Sequence, residues 1–201
     1  MTITISAKGV SKRFKKSFLF KDITFTCSEG ESIAVTGPNG SGKSTLLRIL
    51  ARLTAPSSGT VTFSLGTEII GENKIRQSMG FCSPELALYE NLTGLENLRF
   101  AAERAQDVQI ARSLDKFQLK EHENKQVKFY SSGMKQRLKI LCAVINRPPV
   151  LFLDEPGLAL DISGKKLIYN SIESVRNNCV IILATNEADE AKLCGRRIEL
   201  G

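Results

Sequence analysis

The sequence predicts an α/β fold with a parallel sheet, further strands before it and a helical segment inserted into it. Three observations predict this. Alternating apolar residues mark strands near the N-terminus, a glycine-rich loop follows the apolar run 33–35, and strand and helix patterns alternate after residue 150. A chain of 201 residues is long enough for one domain with a full core.

Two half-buried strands are predicted in the first thirty residues, because apolar and polar positions alternate there. The apolar positions are Ile3, Ile5 and Ala7 in the first strand and Ile23, Phe25 and Cys27 in the second. A turn over 28–31 precedes the run 33–35. Another turn over 55–59 precedes a strand over 60–64.

The loop after residues 33–35 has the sequence GPNGSGKST, which matches the phosphate-binding pattern G-x-x-x-x-G-K-[ST]. Its glycines allow successive backbone N–H groups to point inward, and a helix is predicted to begin near Gly42. Lys43 would reach the β- and γ-phosphates of a nucleotide, and Ser44 would ligate Mg²⁺. The candidate nucleotide-binding residues are Gly37, Pro38, Asn39, Gly40, Ser41, Gly42, Lys43, Ser44 and Thr45.

From about Pro84 the apolar spacing becomes helical. The periodic positions are Leu95, Leu98 and Ala102, then Ile110, Leu114 and Phe117, and finally Leu138, Leu141, Cys142 and Ile145. The two prolines at 148–149 end the last helix. We therefore expect a single domain over 1–201, with a core of about 1–83 and 148–201 and a helical subdomain of about 84–147.

After the prolines the pattern predicts strands at 150–154, 179–184 and 197–199, with helices near 164–176 and 187–194. The first of these strands ends in Asp154-Glu155-Pro156. Phosphoryl transfer needs a carboxylate near the metal and a group that activates water. Asp154 is the candidate metal ligand, acting through water, and Glu155 is the candidate general base.

The bulk composition favours an intracellular globular protein. No window has the length of a membrane span, and Met1 to Ile5 lack the layout of a signal peptide, so a cytoplasmic location is expected. The five cysteines form no C-x-x-C pair, which favours reduced thiols. The net charge of +7 suits nucleotides, nucleic acid or an anionic membrane surface and does not discriminate between them. A merely solvated basic surface is the simpler explanation, and no nucleic acid partner is expected.

The segment YSSGMKQRL at 130–138 resembles the LSGGQ signature of the nucleotide-binding subunits of ABC transporters, in its YSGGMKQR form. The signature candidates are Ser131, Ser132, Gly133 and Met134. The resemblance covers essentially the whole chain and implies a compact single-domain P-loop ATPase, with an N-terminal antiparallel β subdomain and an inserted α-helical subdomain. It implies that Ser131 and the Gly133 N–H face ATP bound to a second subunit in a head-to-tail dimer. Without the family context, the same residues could simply cap a core helix.

The resemblance also assigns roles elsewhere. Phe14 stands where the family places an aromatic residue beneath adenine, although a core strand aromatic is the alternative. Asp161 corresponds to the D-loop residue that contacts the partner's P-loop, and residues 91–98 open the subdomain that docks a membrane subunit. ATP and Mg²⁺ are the implied cofactors. The implied partners are a transmembrane permease subunit and a second ATPase subunit, identical or different, at the inner face of the membrane.

Three positions depart from the family pattern. Asn186 replaces the switch histidine in Thr185-Asn186-Glu187, while the one histidine of the chain is distant in sequence, at position 122. Pro84, followed by Glu85, stands at the position of the Q-loop glutamine, and Ser132 replaces the first signature glycine. An amide donates a hydrogen bond but cannot relay a proton. With Glu155, Lys43 and Asn186 as the catalytic set, we expect slow or partner-dependent hydrolysis.

Two other interpretations remain open at this point. The chain could be an ATP-binding switch or scaffold subunit with little hydrolysis, which the residues at 84 and 186 favour. It could instead be a soluble ABC protein without a transport role, although such proteins usually carry two ATPase units or long insertions. The presence of Glu155 favours an enzyme over a scaffold, since a scaffold has no need of a water-activating carboxylate.

Overall fold

The computed structural model describes residues 2–15, 17–71, 74–75, 78–102 and 105–201. The strands within these ranges are β1 (Ile3–Phe14), β2 (Ser17–Ser28), β3 (Ser32–Thr36), β4 (Ser58–Leu65), β5 (Glu68–Ile69), β6 (Met79–Cys82), β7 (Val150–Asp154), β8 (Val180–Ala184) and β9 (Arg196–Glu199). The α-helices are α1 (Lys43–Leu50), α2 (Gly94–Ala101), α3 (Asp107–Lys116), α4 (Ser132–Val144), α5 (Ile162–Glu173) and α6 (Ala188–Ala191). Short 3₁₀ turns cover Lys120–His122, Val127–Phe129 and Arg176–Asn178.

The strands form two sheets. An antiparallel sheet has the order β2-β1-β4-β5, and a parallel sheet has the order β6-β7-β8-β3-β9. Every residue of β3, β7 and β8 is buried, as expected for parallel strands with both faces covered. The predicted α/β class, with antiparallel strands at the N-terminus, is therefore confirmed.

Alternate residues of the central strands belong to different apolar clusters. Val150 and Phe152 of β7 pack with the antiparallel sheet and α1, whereas Leu151 and Leu153 pack with helices α2–α5. This alternation follows from the two-residue period of a strand. The parallel sheet is thus the layer between the N-terminal strands and the helices, and its edges position the loops described below.

The helices differ from the predicted bounds mainly at their ends. Helix α5 spans Ile162–Glu173 rather than 164–176. It begins early because the Asp161 carboxylate caps it, accepting from the Gly164 N–H at 2.7 Å. Near its end, Ser171 and Ser174 donate to carbonyls of the preceding turn, and the chain passes into a 3₁₀ turn. Helix α6 is also shorter than the predicted 187–194.

The thiols fit the expectation of reduced, packed cysteines. All five are free, and Cys27, Cys82 and Cys179 are buried. Burial raises the pKa of Cys82 and of Cys142 to about 12, which disfavours the reactive thiolate. In the described part of the chain, no helix combines the length and apolarity needed to cross a membrane.

Candidate nucleotide site

Three neighbouring strands end at the same level and carry the predicted site residues. Asp154, the last residue of β7, is in register with Ala184 of β8, which is in register with Val35 of β3. The ladder extends past the strand ends, because Glu155 N–H donates to Ala184 O at 2.9 Å. In parallel sheets such loops meet at the carboxyl edge, where ligands bind. The P-loop, the Asp154–Glu155 pair and Asn186 therefore share one edge.

The P-loop connects β3 to α1, and its backbone has a conformation that residues with a side chain rarely adopt. Gly37, Gly40 and Gly42 have φ values of 145°, 85° and 99°. Gly42 is the N-cap of α1, and a Cβ there would lie 2.7 Å from side-chain carbons of Leu19. The glycine is required for both reasons. The first N–H groups of α1 consequently face the loop and favour anions there.

Lys43 is buried, and its ammonium is folded back over the loop. Its Nζ donates to Gly37 O at 2.9 Å and to Pro38 O at 3.1 Å. These carbonyls hold the cation within the curve of the P-loop. The Ser41 hydroxyl is also buried and has no hydrogen-bond partner among the described residues. A polar loop interior with a buried cation is suited to phosphate oxygens.

Asp154 is 4% exposed, and burial raises the pKa of its carboxyl above the ordinary value, although Ser44 donates a hydrogen bond to it. Its Oδ1 is buried and has no hydrogen-bond partner in the described part of the chain. A buried carboxylate oxygen without a partner, beside a hydroxyl, is the donor chemistry that Mg²⁺ uses. The residues at this position therefore fit the metal.

Glu155 adopts a φ of 47°, which is uncommon and costly for a residue with a side chain. Hydrogen bonds hold this backbone from two sides. Its N–H donates to Ala184 O, and the buried Gln136 of α4 donates to Glu155 O at 3.4 Å and to Pro156 O at 3.0 Å. The conformation is thus imposed by neighbouring elements.

Asn186 is exposed and lies beside the P-loop. Its Nδ2 donates to the Asn39 side-chain oxygen at 3.3 Å. The turn that carries it is fixed by a bond from Glu187 N–H to the Thr185 hydroxyl at 2.9 Å. The residue at the switch position is therefore an amide donor directed at the phosphate loop.

The signature segment lies at the start of α4. Ser131 is the N-cap of that helix, and its hydroxyl accepts from Met134 N–H at 3.2 Å; Ser132 is the first helical residue. Gly133 packs near Ala159, since a Cβ on it would lie 3.4 Å from Ala159 O. Among the described residues, no hydrogen bond or ion pair joins 131–134 to the P-loop.

The residues at the Q-loop position are tied to neighbouring helices. The Glu85 carboxylate forms an ion pair with Arg48 of α1. Lys139 of α4 donates to Pro84 O at 2.7 Å. Asp161 of the D-loop segment uses its carboxylate to cap α5, and this hydrogen bond lowers its pKa.

Phe14 ends β1 and is 56% exposed, so it is not part of the apolar core. The Lys12 ammonium lies 5.4 Å from the centre of its ring. An exposed ring at a strand end is available for stacking, whereas the alternative of a core aromatic is excluded by this exposure.

Comparison with known proteins agrees with this geometry. Residues 20–157, more than half of the chain, match the model of the ABC transporter family. The chain belongs to the ABC transporter family. The chain is 33% identical over 200 residues to the probable multidrug ABC transporter ATP-binding protein YbhF of Escherichia coli K12. It is 30% identical over 207 residues to the linearmycin resistance ATP-binding protein LnrL of Bacillus subtilis 168.

Both matches cover 96% of this chain, but only 34% of YbhF and 64% of LnrL. Among solved structures, the ATP binding subunit of an ABC transporter superposes with a TM-score of 0.85 at 28% identity, covering 98% of this chain and 85% of the other. A dimeric ATP-binding cassette bound to ADP and Pi gives a TM-score of 0.83 at 26% identity, covering 98% and 94%.

Two contacts at the site were not predicted from the sequence. Gln136, which lies within the signature motif, holds the carbonyls of Glu155 and Pro156. Glu190 accepts from Gly157 N–H at 2.7 Å. Gln136 carried a signal, because it belongs to the motif. Glu190 lies among ordinary polar residues, and nothing in that stretch marks it as buried.

Proposed function

We propose that this ABC chain binds Mg·ATP at the P-loop and hydrolyses it between two head-to-tail copies, driving transport through a transmembrane permease subunit. The observation that carries the proposal is the common level at which β3, β8 and β7 end. It gathers a phosphate loop, a buried acid, a second acid and an amide donor at one edge. Those are the parts that phosphoryl transfer from a nucleotide needs.

Ground-state binding is assigned to residues of one copy. Phe14 stacks on adenine, the N–H groups of 37–45 bind phosphate oxygens, and Lys43 neutralises their charge. Ser44 and Asp154 would hold Mg²⁺, which supplies charge neutralisation to the β- and γ-phosphates when bound. The partnerless Oδ1 of Asp154 supports this assignment.

Hydrolysis is assigned to Glu155 and Asn186. The Glu155 carboxylate orients the attacking water and accepts its proton as the new P–O bond forms, while the bond from the γ-phosphorus to the β,γ-bridging oxygen breaks and leaves ADP and phosphate. Asn186 leaves Asn39 and donates through Nδ2 to a γ-phosphate oxygen, where negative charge develops. Because this donor is neutral and Pro84 replaces an amide, we propose slow hydrolysis that a partner accelerates.

A second copy completes the site. Residues 131–134 have no bond to the P-loop of their own chain and present a helix N-terminus at Ser131. We propose that this end faces ATP on the other copy, with Asp161 near the opposite P-loop. The second copy is an identical chain or a different ATPase subunit.

The proposed role in transport depends on contact with the permease. We propose that residues 84–147 act as a helical subdomain that docks the membrane subunit, placing the chain at the cytoplasmic face. The exposed Tyr89 and Phe100, whose ring centroids lie 5.1 Å apart, belong to this segment and support an apolar contact. A transport role is also supported by the names of the relatives.

The test is steady-state hydrolysis of Mg·ATP by the purified chain, with Glu155→Gln as the matched blank. Activity above the blank supports a motor with its own chemistry. Activity equal to the blank, with ATP still bound, means either that hydrolysis needs a membrane or ATPase partner or that the chain is an ATP-binding switch, the alternative that Asn186 supports. Absence of ATP binding in both proteins would overturn the proposal.

A further inference from the structure

The Glu190 carboxylate is buried at the centre of a hydrogen-bond cluster that the proposed chemistry does not use. Glu190 is 1% exposed. It accepts from Gly157 N–H at 2.7 Å, from Tyr169 OH at 3.2 Å and from the Thr185 hydroxyl. Burying a carboxylate is costly unless donors replace water, and three donors meet that need here.

The donors come from separate parts of the chain. Gly157 follows Glu155 by two positions, and Thr185 precedes Asn186 by one. Tyr169 lies on α5. Glu190 therefore joins the loop after β7 to the loop after β8, and these loops carry the two groups assigned to hydrolysis.

The approach of Glu190 to Gly157 is close. A Cβ at Gly157 would lie 2.2 Å from Glu190 Oε1 and 3.1 Å from the Tyr169 hydroxyl. Any side chain at 157 would expel the carboxylate. On the other side of the same loop, Gln136 donates to Pro156 O at 3.0 Å. The turn that holds Glu155 at a positive φ is thus clamped between α4 and α6.

The hydrogen bond between the Thr185 hydroxyl and Glu190 restrains the loop after β8. The Thr185 hydroxyl also accepts from Glu187 N–H, so one side chain links Glu190 to the turn that surrounds Asn186. Loss of the carboxylate would remove one restraint from each of the two turns. Neither turn contains a P-loop residue, and Asn186 contacts the P-loop through the side chain of Asn39. The backbone N–H groups proposed to bind phosphate are outside this link, so nucleotide binding is expected not to depend on it.

We infer that Glu190 is a positioning residue that fixes the loops of Glu155 and Asn186 relative to each other, so that hydrolysis depends on it and ATP binding does not. This inference rests on the proposed function. A strained catalytic backbone persists only when its surroundings determine it, and Glu190 supplies one side of that constraint.

The test compares Glu190→Ala with Glu190→Gln, which keeps an acceptor for the Gly157 amide. Asp189→Asn is the matched control, because Asp189 is an exposed carboxylate on the same helix, paired with Lys192 at 2.7 Å. The readouts are ATP affinity, single-turnover hydrolysis and amide hydrogen exchange over 155–158 and 185–187 in ATP-free protein.

Glu190→Ala is expected to lower the hydrolysis rate by about tenfold to hundredfold, as for the loss of charge-assisted hydrogen bonds, with ATP affinity unchanged. Exchange should accelerate in both loops. Glu190→Gln should restore most of the rate and the protection, and Asp189→Asn should match wild type. In a Glu155→Gln background, Glu190→Ala should add no further loss, because both changes act on one step.

Equal losses of affinity and rate in Glu190→Ala would overturn the inference, as would unchanged exchange in either loop. If Glu190→Ala does not fold, Glu190→Gln carries the test, and loss of affinity in that variant would contradict a positioning role. If wild type shows no turnover above Glu155→Gln, the proposal that the chain hydrolyses ATP by itself fails. Hydrogen exchange then still decides whether Glu190 couples the loops.

Discussion

The side-chain amide of Asn186 donates to the side-chain oxygen of Asn39 at 3.3 Å, across 147 positions of sequence. This bond places the residue at the switch position against the phosphate loop. A donor held beside the loop is suited to donate to a phosphate oxygen bound there. The contact therefore connects the substitution at 186 with the expected rate of hydrolysis.

Replacement of Asn186 by alanine is expected to lower kcat by about 10²-fold, because one donor to the developing charge is lost. ATP affinity should change little. Asn186→His should instead raise kcat, since histidine adds a donor that can carry charge. Steady-state hydrolysis over a range of ATP concentrations separates kcat from KM.

The control for Asn186 is Asn170→Ala, which removes an exposed asparagine from α5, away from the site. It should behave as wild type. If Asn186→Ala hydrolysed ATP at the wild-type rate, the amide would have no part in the reaction.

Asp154→Asn is expected to stabilise the ATP-free protein at neutral pH and to abolish stabilisation by Mg·ATP. Burial raises the folded-state pKa of Asp154, so its contribution to stability is present below its unfolded pKa of about 3.9 and is lost as pH rises through the folded value. Asparagine does not ionise, so the variant avoids this loss of stability at neutral pH. Its side-chain oxygen can still accept the hydrogen bond from Ser44. The measurement is thermal unfolding, where each kcal/mol recovered raises Tm by about 2–4 °C.

The pH dependence supplies the check on Asp154. The difference in Tm between Asp154→Asn and wild type should shrink as pH falls, because the wild-type carboxyl then takes up a proton. A difference that is independent of pH would exclude the buried charge as its cause.

Phe14→Ala is expected to weaken ATP binding without affecting folding. Stacking of a base on an aromatic ring is worth about 1–3 kcal/mol, which corresponds to a rise in Kd of about fivefold or more. Phe18→Ala is the matched control: this ring is 52% exposed on the same hairpin. Phe18 pairs with Arg13 rather than Phe14, so the two rings lie on opposite faces.

The measurement is equilibrium binding of ATP to the Phe14→Ala and Phe18→Ala variants. Phe14→Trp should keep or strengthen binding, since it retains a stacking surface. Equal weakening by the changes at 14 and 18 would indicate a general effect on the hairpin instead of stacking on adenine.

Ser131→Ala is expected to cost about 1 kcal/mol of stability through the lost N-cap, and also to reduce ATP-driven dimerisation. Thr93→Ala is a matched control, because Thr93 caps α2 with the same geometry, accepting from Glu96 N–H at 3.1 Å. It should lose similar stability and keep dimerisation. Sedimentation in a Glu155→Gln background, with and without ATP, measures the second effect.

A dimer that forms equally well in the Ser131 and Thr93 variants would count against contact between the signature segment and a second copy. Chemical denaturation of both variants supplies the stability comparison.

Much of the fold follows from local patterns. Residues 150–153 and 180–184 are apolar and are followed by polar residues, and they form β7 and β8 close to the predicted bounds of 150–154 and 179–184. Helix ends were less accurate, as in α5, because capping by Asp161 and the serines near residue 174 shifted both ends. The domain division and the roles of the site residues remain predictions.

The contacts of Gln136 and Glu190 were not predicted, although the signature motif marks Gln136 as a residue of interest. A glutamine and a glutamate in polar stretches are normally solvated. Their burial depends on α4 and α6 approaching the loop after Glu155 from opposite sides, and that approach is a property of the packed sheet.

The sequence by itself determined the phosphate loop, since its conformation depends on consecutive residues whose glycines and following helix act locally. It also determined the central strands, because a continuous apolar run of this length is stable as a strand wherever both faces of the sheet are covered. Only the tertiary structure decided which distant groups meet. Asn39 with Asn186 and Gly157 with Glu190 are joined by the strand order β7-β8-β3, because register between parallel strands brings their carboxyl ends to one level.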